Sequence, residues 1–181
     1  MLFLVFILPL TTVIALEDSC KNLQIYGSTD IEGVKPPAGR VFFSQTGGSS
    51  CLDHYACYNR LGFSYTATSK KYWDNFFIGG NGKVYTGTGW EGKNLRYNGF
   101  EYDLSIVFIG DFSDKPLPKI MADTAKQLIE CGKDEDYIQH YYSIYTANDF
   151  ECNLNEVLVN GIDEEVQSWP RYAAGGPINN C

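Results

Sequence analysis

The sequence predicts an α/β domain, a central mixed β-sheet flanked by about three helices and held by disulfides. Three observations carry that class. Phe76–Tyr85 holds two short runs of β-formers around Asn81-Gly82, the dipeptide that supplies the positive φ angles of a tight type I′ hairpin turn. Arg40–Ser44 and Leu104–Ile109 are apolar runs bounded by glycines, the pattern of buried strands. Met121, Ala125, Leu128 and Ile129 recur at helical spacing on one face.

The elements follow in chain order. Residues 2–10 are apolar but shorter than the roughly 20 residues that cross a bilayer. Val13 and Ala15 fit the small-residue rule of a cleavage site, so residues 1–15 are expected to be a signal peptide and the protein secreted and extracellular. Residues 16–39 are polar and turn-rich and are expected to wrap over the surface; residues 40–172 are expected to form the domain, and 173–181 a tail. After the first strand, Gly47–Ser50 is a loop, and Cys51 and Cys57 bracket a segment leading into a helix through about Leu61. Residues 62–74 are aromatic and carry no clear period. Past the hairpin, Lys93–Glu101 is a polar loop before the strand that Gly110 ends. Pro116 and Pro118 open a helix for which Gly132 is the expected stop. Tyr141–Tyr145 reads as a strand. Ile162, Val166 and Trp169 share the face of a last helix, whose first turn is favoured by Asp163, Glu164 and Glu165 and whose end is set by Pro170.

Composition narrows the function classes. The chain has 181 residues, one domain's worth, and its 13 Tyr and 11 Phe supply a core. A net charge of −8 repels phosphate backbones and anionic headgroups, which speaks against nucleic acid and membrane insertion. The six cysteines all follow the signal, and an even count in a secreted chain reads as disulfides, with spacing alone leaving the pairing open. There is no Cys-x-x-Cys and no N-glycosylation sequon.

Several local patterns then agree with one family. Asn75-Phe-Phe-Ile-Gly-Gly-Asn-Gly-Lys-Val-Tyr85 is similar to a Tyr-Asn-Phe-Leu-Ile-Gly-Gly-Asp-Gly-x-Val-Tyr motif. Arg40-Val-Phe-Phe-Ser-Gln-Thr46 resembles a strand ending in His-His-Thr or Ser-His-Thr. Ser105-Ile-Val-Phe-Ile-Gly-Asp-Phe112 resembles Gly-Ile-Ser-Phe-Ile-Gly-Asn-Phe, and Val166-Gln-Ser-Trp-Pro170 a closing Ile-Gln-x-Trp-Pro. These motifs are those of the peptidoglycan-recognition proteins, a secreted innate-immunity family related to zinc N-acetylmuramoyl-L-alanine amidases. The chain resembles a divergent, short-type member. The resemblance implies a ligand groove over one sheet face, a small Cys51–Cys57 disulfide and a Cys20–Cys131 bridge, leaving Cys152 with Cys181.

The resemblance also says where a zinc site would stand. Two histidines and a cysteine would hold the metal with one position open for water, beside a tyrosine that stabilises the oxyanion. The first histidine position is Ser44, next to Gln45; the tyrosine position is Asp74, before Asn75; the second histidine position is Ala147. The cysteine has no clean counterpart, because Cys152 comes too early. Only His54 and His140 exist, and neither occupies a ligand position. Zinc is therefore not expected, nor amidase activity. Binding needs no metal. In the family an arginine followed by Gly-Trp favours stems with an extra carboxylate; here the positions are Thr88, Gly89 and Trp90. Trp90 either walls the groove or fills core, and Arg96 either replaces the missing guanidinium or lies solvated. The groove expected from this set is Ser44, Gln45, Thr46, Asp74, Asn75, Thr88, Gly89, Trp90, Arg96 and Ala147. The expected partner is bacterial peptidoglycan or a muropeptide, with another recognition protein as the alternative.

Overall fold

The computed structural model describes residues 20–27, 35–62, 74–149 and 159–173. The expected signal over 1–15 and the Cys152–Cys181 pair lie outside them. The described elements are β1 (Ile25–Tyr26), β2 (Ala38–Gln45), α1 (His54–Arg60), β3 (Phe76–Ile78), β4 (Val84–Thr86), β5 (Leu104–Phe108), α2 (Lys119–Asp134), β6 (Ile138–Thr146) and α3 (Asn160–Val166). The strands form one six-stranded sheet in the order β1-β4-β3-β5-β2-β6. It is mixed, as expected: β3 and β4 are antiparallel, and the other pairs are parallel.

Register decides what each face carries. Phe43, Ile106 and Phe76 are partners across β2, β5 and β3, and Ser44, Val107, Phe77 and Tyr85 form the next row. Successive side chains point to opposite faces. The first row accordingly joins the main core with Met121, Leu128, Ile162 and Val166 under α2 and α3. From the second row, Phe77, Tyr85 and Val107 pack with Cys51 and Cys57 under α1. Asp53 starts α1 by accepting the Ala56 N–H at 2.8 Å, a side-chain N-cap. Two expected bridges are present, Cys20–Cys131 and Cys51–Cys57. Among the described residues no helix is long and apolar enough to cross a membrane.

Four details differ from the sequence reading, each for a local reason. The wrapping segment contributes an edge strand, β1, parallel to β4; two residues are too few to show a period. The hairpin turn is not type I′. Only Gly82 takes a positive φ (72°), and its N–H donates to the Gly79 carbonyl, which makes a turn followed by a left-handed glycine bulge. Asn81 stabilises this form by accepting the Lys83 N–H and donating to the Tyr85 hydroxyl. Gly132 does not stop α2, which runs on to Asp134. A Cβ at Gly132 would stand 2.8 Å from the Trp90 ring and from Ile138, so the glycine admits the indole. Asp136, at φ 58°, supplies the left-handed residue after the helix instead. β6 is longer than Tyr141–Tyr145 because Gln139, His140 and Tyr141 lie exposed on an edge strand and hide its apolar pattern.

Candidate functional site

The C-terminal end of β2 carries the first of the ligand positions that the motif resemblance implies. Ser44 is buried, and its hydroxyl makes no hydrogen bond among the described residues. Thr146 is the partner of Phe43, so Ala147 adjoins Ser44 at the head of the strand pair. The Ala147 methyl belongs to the main core. The residues present do not fit a zinc ion, since one position offers a serine hydroxyl and the other a methyl. The expected place of the third ligand falls largely outside the described residues. Among those described, no group of three or more His, Cys, Asp and Glu is placed to hold a metal. The chain's two histidines are not brought together. His54 lies on Tyr26 and Tyr85 at ring distances of 4.4 and 5.7 Å, near the β1 edge, whereas His140 is on β6 at the other edge.

Asp74, Asn75, Thr88, Gly89 and Arg96 come together at the start of β3. Arg96 donates from Nε to Asp74 Oδ1 at 2.6 Å and from Nη2 to Oδ2 at 2.7 Å, a forked pair. Asp74 is 3% exposed and Arg96 25%, so the carboxylate is buried and the guanidinium is its cover. Arg96 is thus neither a solvated arginine nor a guanidinium open to a stem carboxylate. Arg96→Met is expected to cost about 3 kcal/mol in urea unfolding, because it leaves a buried carboxylate without its cation. The double variant Asp74→Leu with Arg96→Met should recover at least half of that loss; a purely additive result would mean the two charges do not sense each other.

Asn75 is fully buried and its amide is used on every side. Nδ2 donates to Thr88 Oγ1, the Gly89 carbonyl and the Gly92 carbonyl, while Oδ1 accepts the Ser105 N–H and hydroxyl. The side chain therefore ties β3, β5 and the loop after β4 together. Gln45 points away from Ser44's face: Oε1 accepts the Phe112 N–H at 2.5 Å, and Nε2 reaches Ser113. Thr46 is exposed and accepts the Gly110 N–H. Trp90 lies on the α2 side, stacked on Tyr137 at 5.1 Å and against Phe76 at 4.5 Å. The half-buried indole packs against the main core. Beside Ala147, Thr146 shares its hydroxyl between Asp149 and Asp163. Burial raises the Asp149 pKa, and burial with the two neighbouring carboxylates pushes the Tyr172 phenol up to about 12.

A cavity of about 580 Å³ opens on the face of Phe42, at the opposite end of β2. Its walls include Pro36, Arg40, Phe100, Tyr102, Gln139 and Tyr145, none of them in the expected groove. Of its lining residues, Phe100 and Tyr145 pack with Phe42 and Tyr97. The signal available in the sequence was the pair of aromatics Tyr97 and Phe100 inside Lys93–Glu101, read as a polar loop, with Tyr102 directly after it.

No protein-family model matches the chain. Peptidoglycan-recognition protein 3 of Holotrichia diomphalia is 32% identical over 151 residues, which cover 78% of each chain. Peptidoglycan-recognition protein 1 of the same species is 30% identical over 142 residues, 75% of this chain and 71% of the relative. The chain belongs to the peptidoglycan-recognition protein family. Peptidoglycan Recognition Protein-1 of Manduca sexta has the same fold, with a TM-score of 0.65 at 27% identity, over 82% of this chain and 87% of that one. In this peptidoglycan-recognition protein Ser44 is buried, Asp74 pairs with Arg96, and Ala147 packs into the main core.

Proposed function

We propose that this protein is a secreted, non-catalytic peptidoglycan-recognition protein that binds bacterial peptidoglycan or its muropeptides in innate immunity. Family membership supports recognition; what favours the absence of catalysis is the corner where Ser44 and Ala147 offer no imidazole to a metal. A second reading has its own observation. Thr88, Asn75 and Arg96 are spent on internal bonds, which suits a regulator that pairs with another recognition protein instead of reading the polymer. Co-sedimentation of the mature protein with insoluble lysine-type and diaminopimelate-type peptidoglycan separates the two. Saturable pelleting with either polymer, and no stem peptide released when zinc is added, is the expected result. Failure to pellet with both would end the recognition reading in favour of the protein-partner one. Release of stems would end the non-catalytic one.

A further inference from the structure

The end of the sheet where β2 and β6 begin gathers exposed groups that the fold itself does not use. Ile138, Tyr142 and Ile144 of β6 belong to the main core, while Gln139, Ser143 and Tyr145 line the cavity of about 580 Å³. Strand alternation therefore sets Tyr141, between them, on the cavity face, where it is 84% exposed. Tyr102, in the cavity wall, is 54% exposed, and Pro36 and Pro37 of the same lining are exposed too. Single exposed aromatics are ordinary. Two tyrosines and two prolines around one recess make a continuous apolar surface, the kind that marks a protein contact.

The same end carries charges of both signs. Arg40 Nη1 donates to Asp103 Oδ2 at 2.9 Å, and the guanidinium lies 5.0 Å over the Phe100 ring, so it is fixed before any partner arrives. Its Nε and Nη2 make no hydrogen bond among the described residues, and the side chain is 46% exposed. Lys93 and Arg171 stand exposed over the Tyr102 and Tyr141 rings, each at 5.6 Å. Against these cations, Asp134, Glu135 and Asp136 lead from the end of α2 into the turn before β6. All three are exposed, and none forms an ion pair among the described residues. The turn is rigid, because the Glu135 and Tyr137 N–H groups donate to the Cys131 and Gly132 carbonyls. It also adjoins the cavity: the Tyr137 carbonyl accepts the Ala38 N–H at 2.8 Å, two residues before Arg40.

A twofold dimer needs one patch that complements itself, since each residue that gives a contact also receives it. An acidic turn beside a basic, aromatic recess meets that condition. Rotation by half a turn brings each acidic turn onto the recess of the other copy, whereas a partner of one charge sign would leave half of the patch unmatched. We propose that this face joins two copies of the chain into a dimer, with the carboxylates of Asp134, Glu135 and Asp136 on Arg40 of the other copy and the Tyr102 and Tyr141 rings packed between them. Tyrosine and arginine are the residue types that carry most of the energy of such contacts, and a planar guanidinium with free donors pairs well with a carboxylate. Ser44 lies about 13 Å along β2 from Arg40, so the contact leaves the strand-end corner open. The dimer does not depend on peptidoglycan binding.

Sedimentation equilibrium of the mature protein from about 1 to about 100 μM, in low and in high salt, tests it. The expected result is a reversible monomer–dimer equilibrium that high salt weakens, because ion pairs at the rim are screened. Tyr141→Ala should weaken the dimer about thirtyfold, as the substitution counts twice across a twofold axis. Tyr55→Ala, at an exposed aromatic on α1, should leave it unchanged. Arg40→Glu and Glu135→Lys should each be monomeric alone, and an equimolar mixture of the two should dimerise, since every reversed charge then faces its opposite. Recovery on mixing also shows that both variants are folded; if Arg40→Glu does not fold, Tyr141→Ala and Glu135→Lys decide the matter. A wild type that stays monomeric at the highest concentration overturns the proposal and gives the face to a different protein. A dimer that Tyr141→Ala and Glu135→Lys both leave intact overturns it as well, by placing the contact elsewhere on the molecule.

Discussion

Asn75→Ala is expected to lower the unfolding free energy by about 4 kcal/mol, with no direct effect on ligand affinity in the fraction that remains folded. The amide serves three acceptors and two donors, all inside the protein. Truncation leaves the Ser105 N–H and the carbonyls of Gly89 and Gly92 without partners in a site that Asn75 fills completely. Each unmet buried group costs about 1–3 kcal/mol, and water entering the vacated space recovers part of that. Asn75→Asp should fare no better, because a carboxylate keeps the acceptor and loses the donors that three oxygens need. Urea unfolding read by far-ultraviolet circular dichroism measures the loss. A change below 1 kcal/mol together with abolished peptidoglycan pelleting would reverse the assignment and make Asn75 a ligand contact.

Burial on both faces of a strand leaves its mark on the sequence. β2 and β5 were legible because both faces of each are covered, so Val41–Phe43 and Ile106–Phe108 read as unbroken apolar runs. The hairpin strands were legible too, but the turn type was not. Asn-Gly permits two turn geometries, and contacts to α2 choose between them: a Cβ at Gly82 would stand 2.8 Å from Ile120, and the Gly82 carbonyl accepts the Thr124 hydroxyl. At the site, Ser44, Asp74 and Ala147 could be located because each is tied to a local motif. Their roles could not, because the partners come from elsewhere in the chain. Arg96 reaches Asp74 across 22 residues, and nothing near either residue announces the pair. The cavity was hidden more thoroughly. It is assembled from the approach to β2, the loop before β5 and the edge strand β6, which become neighbours only once β2 has been laid between β5 and β6.

Replacing Cys20 and Cys131 by alanine is expected to cost about 4–5 kcal/mol, against about 2 kcal/mol for Cys51 and Cys57, if denatured-chain entropy governs both. The first closes a sequence separation of 111 residues and the second one of 6. Native contacts point the same way. β1 is held to the sheet through only two residue pairs, Ile25 with Val84 and Tyr26 with Tyr85. Without the tether to α2, that segment relies on contacts such as Tyr26 stacking, the Lys83 bond to the Tyr26 hydroxyl, Leu23 packing on the core and the Gln24 carbonyl that accepts the Val84 N–H. Its detachment would bare the β4 edge and the Tyr26 side of His54. Alanine avoids burying a new hydroxyl, since Cys131 is 2% exposed. Equilibrium unfolding of the two double variants compares them directly, and hydrogen exchange at the Val84 amide reports whether β1 has left the sheet. Equal losses would mean the denatured chain is already compact around the Cys20–Cys131 pair; a larger loss for the short loop would overturn the entropic account.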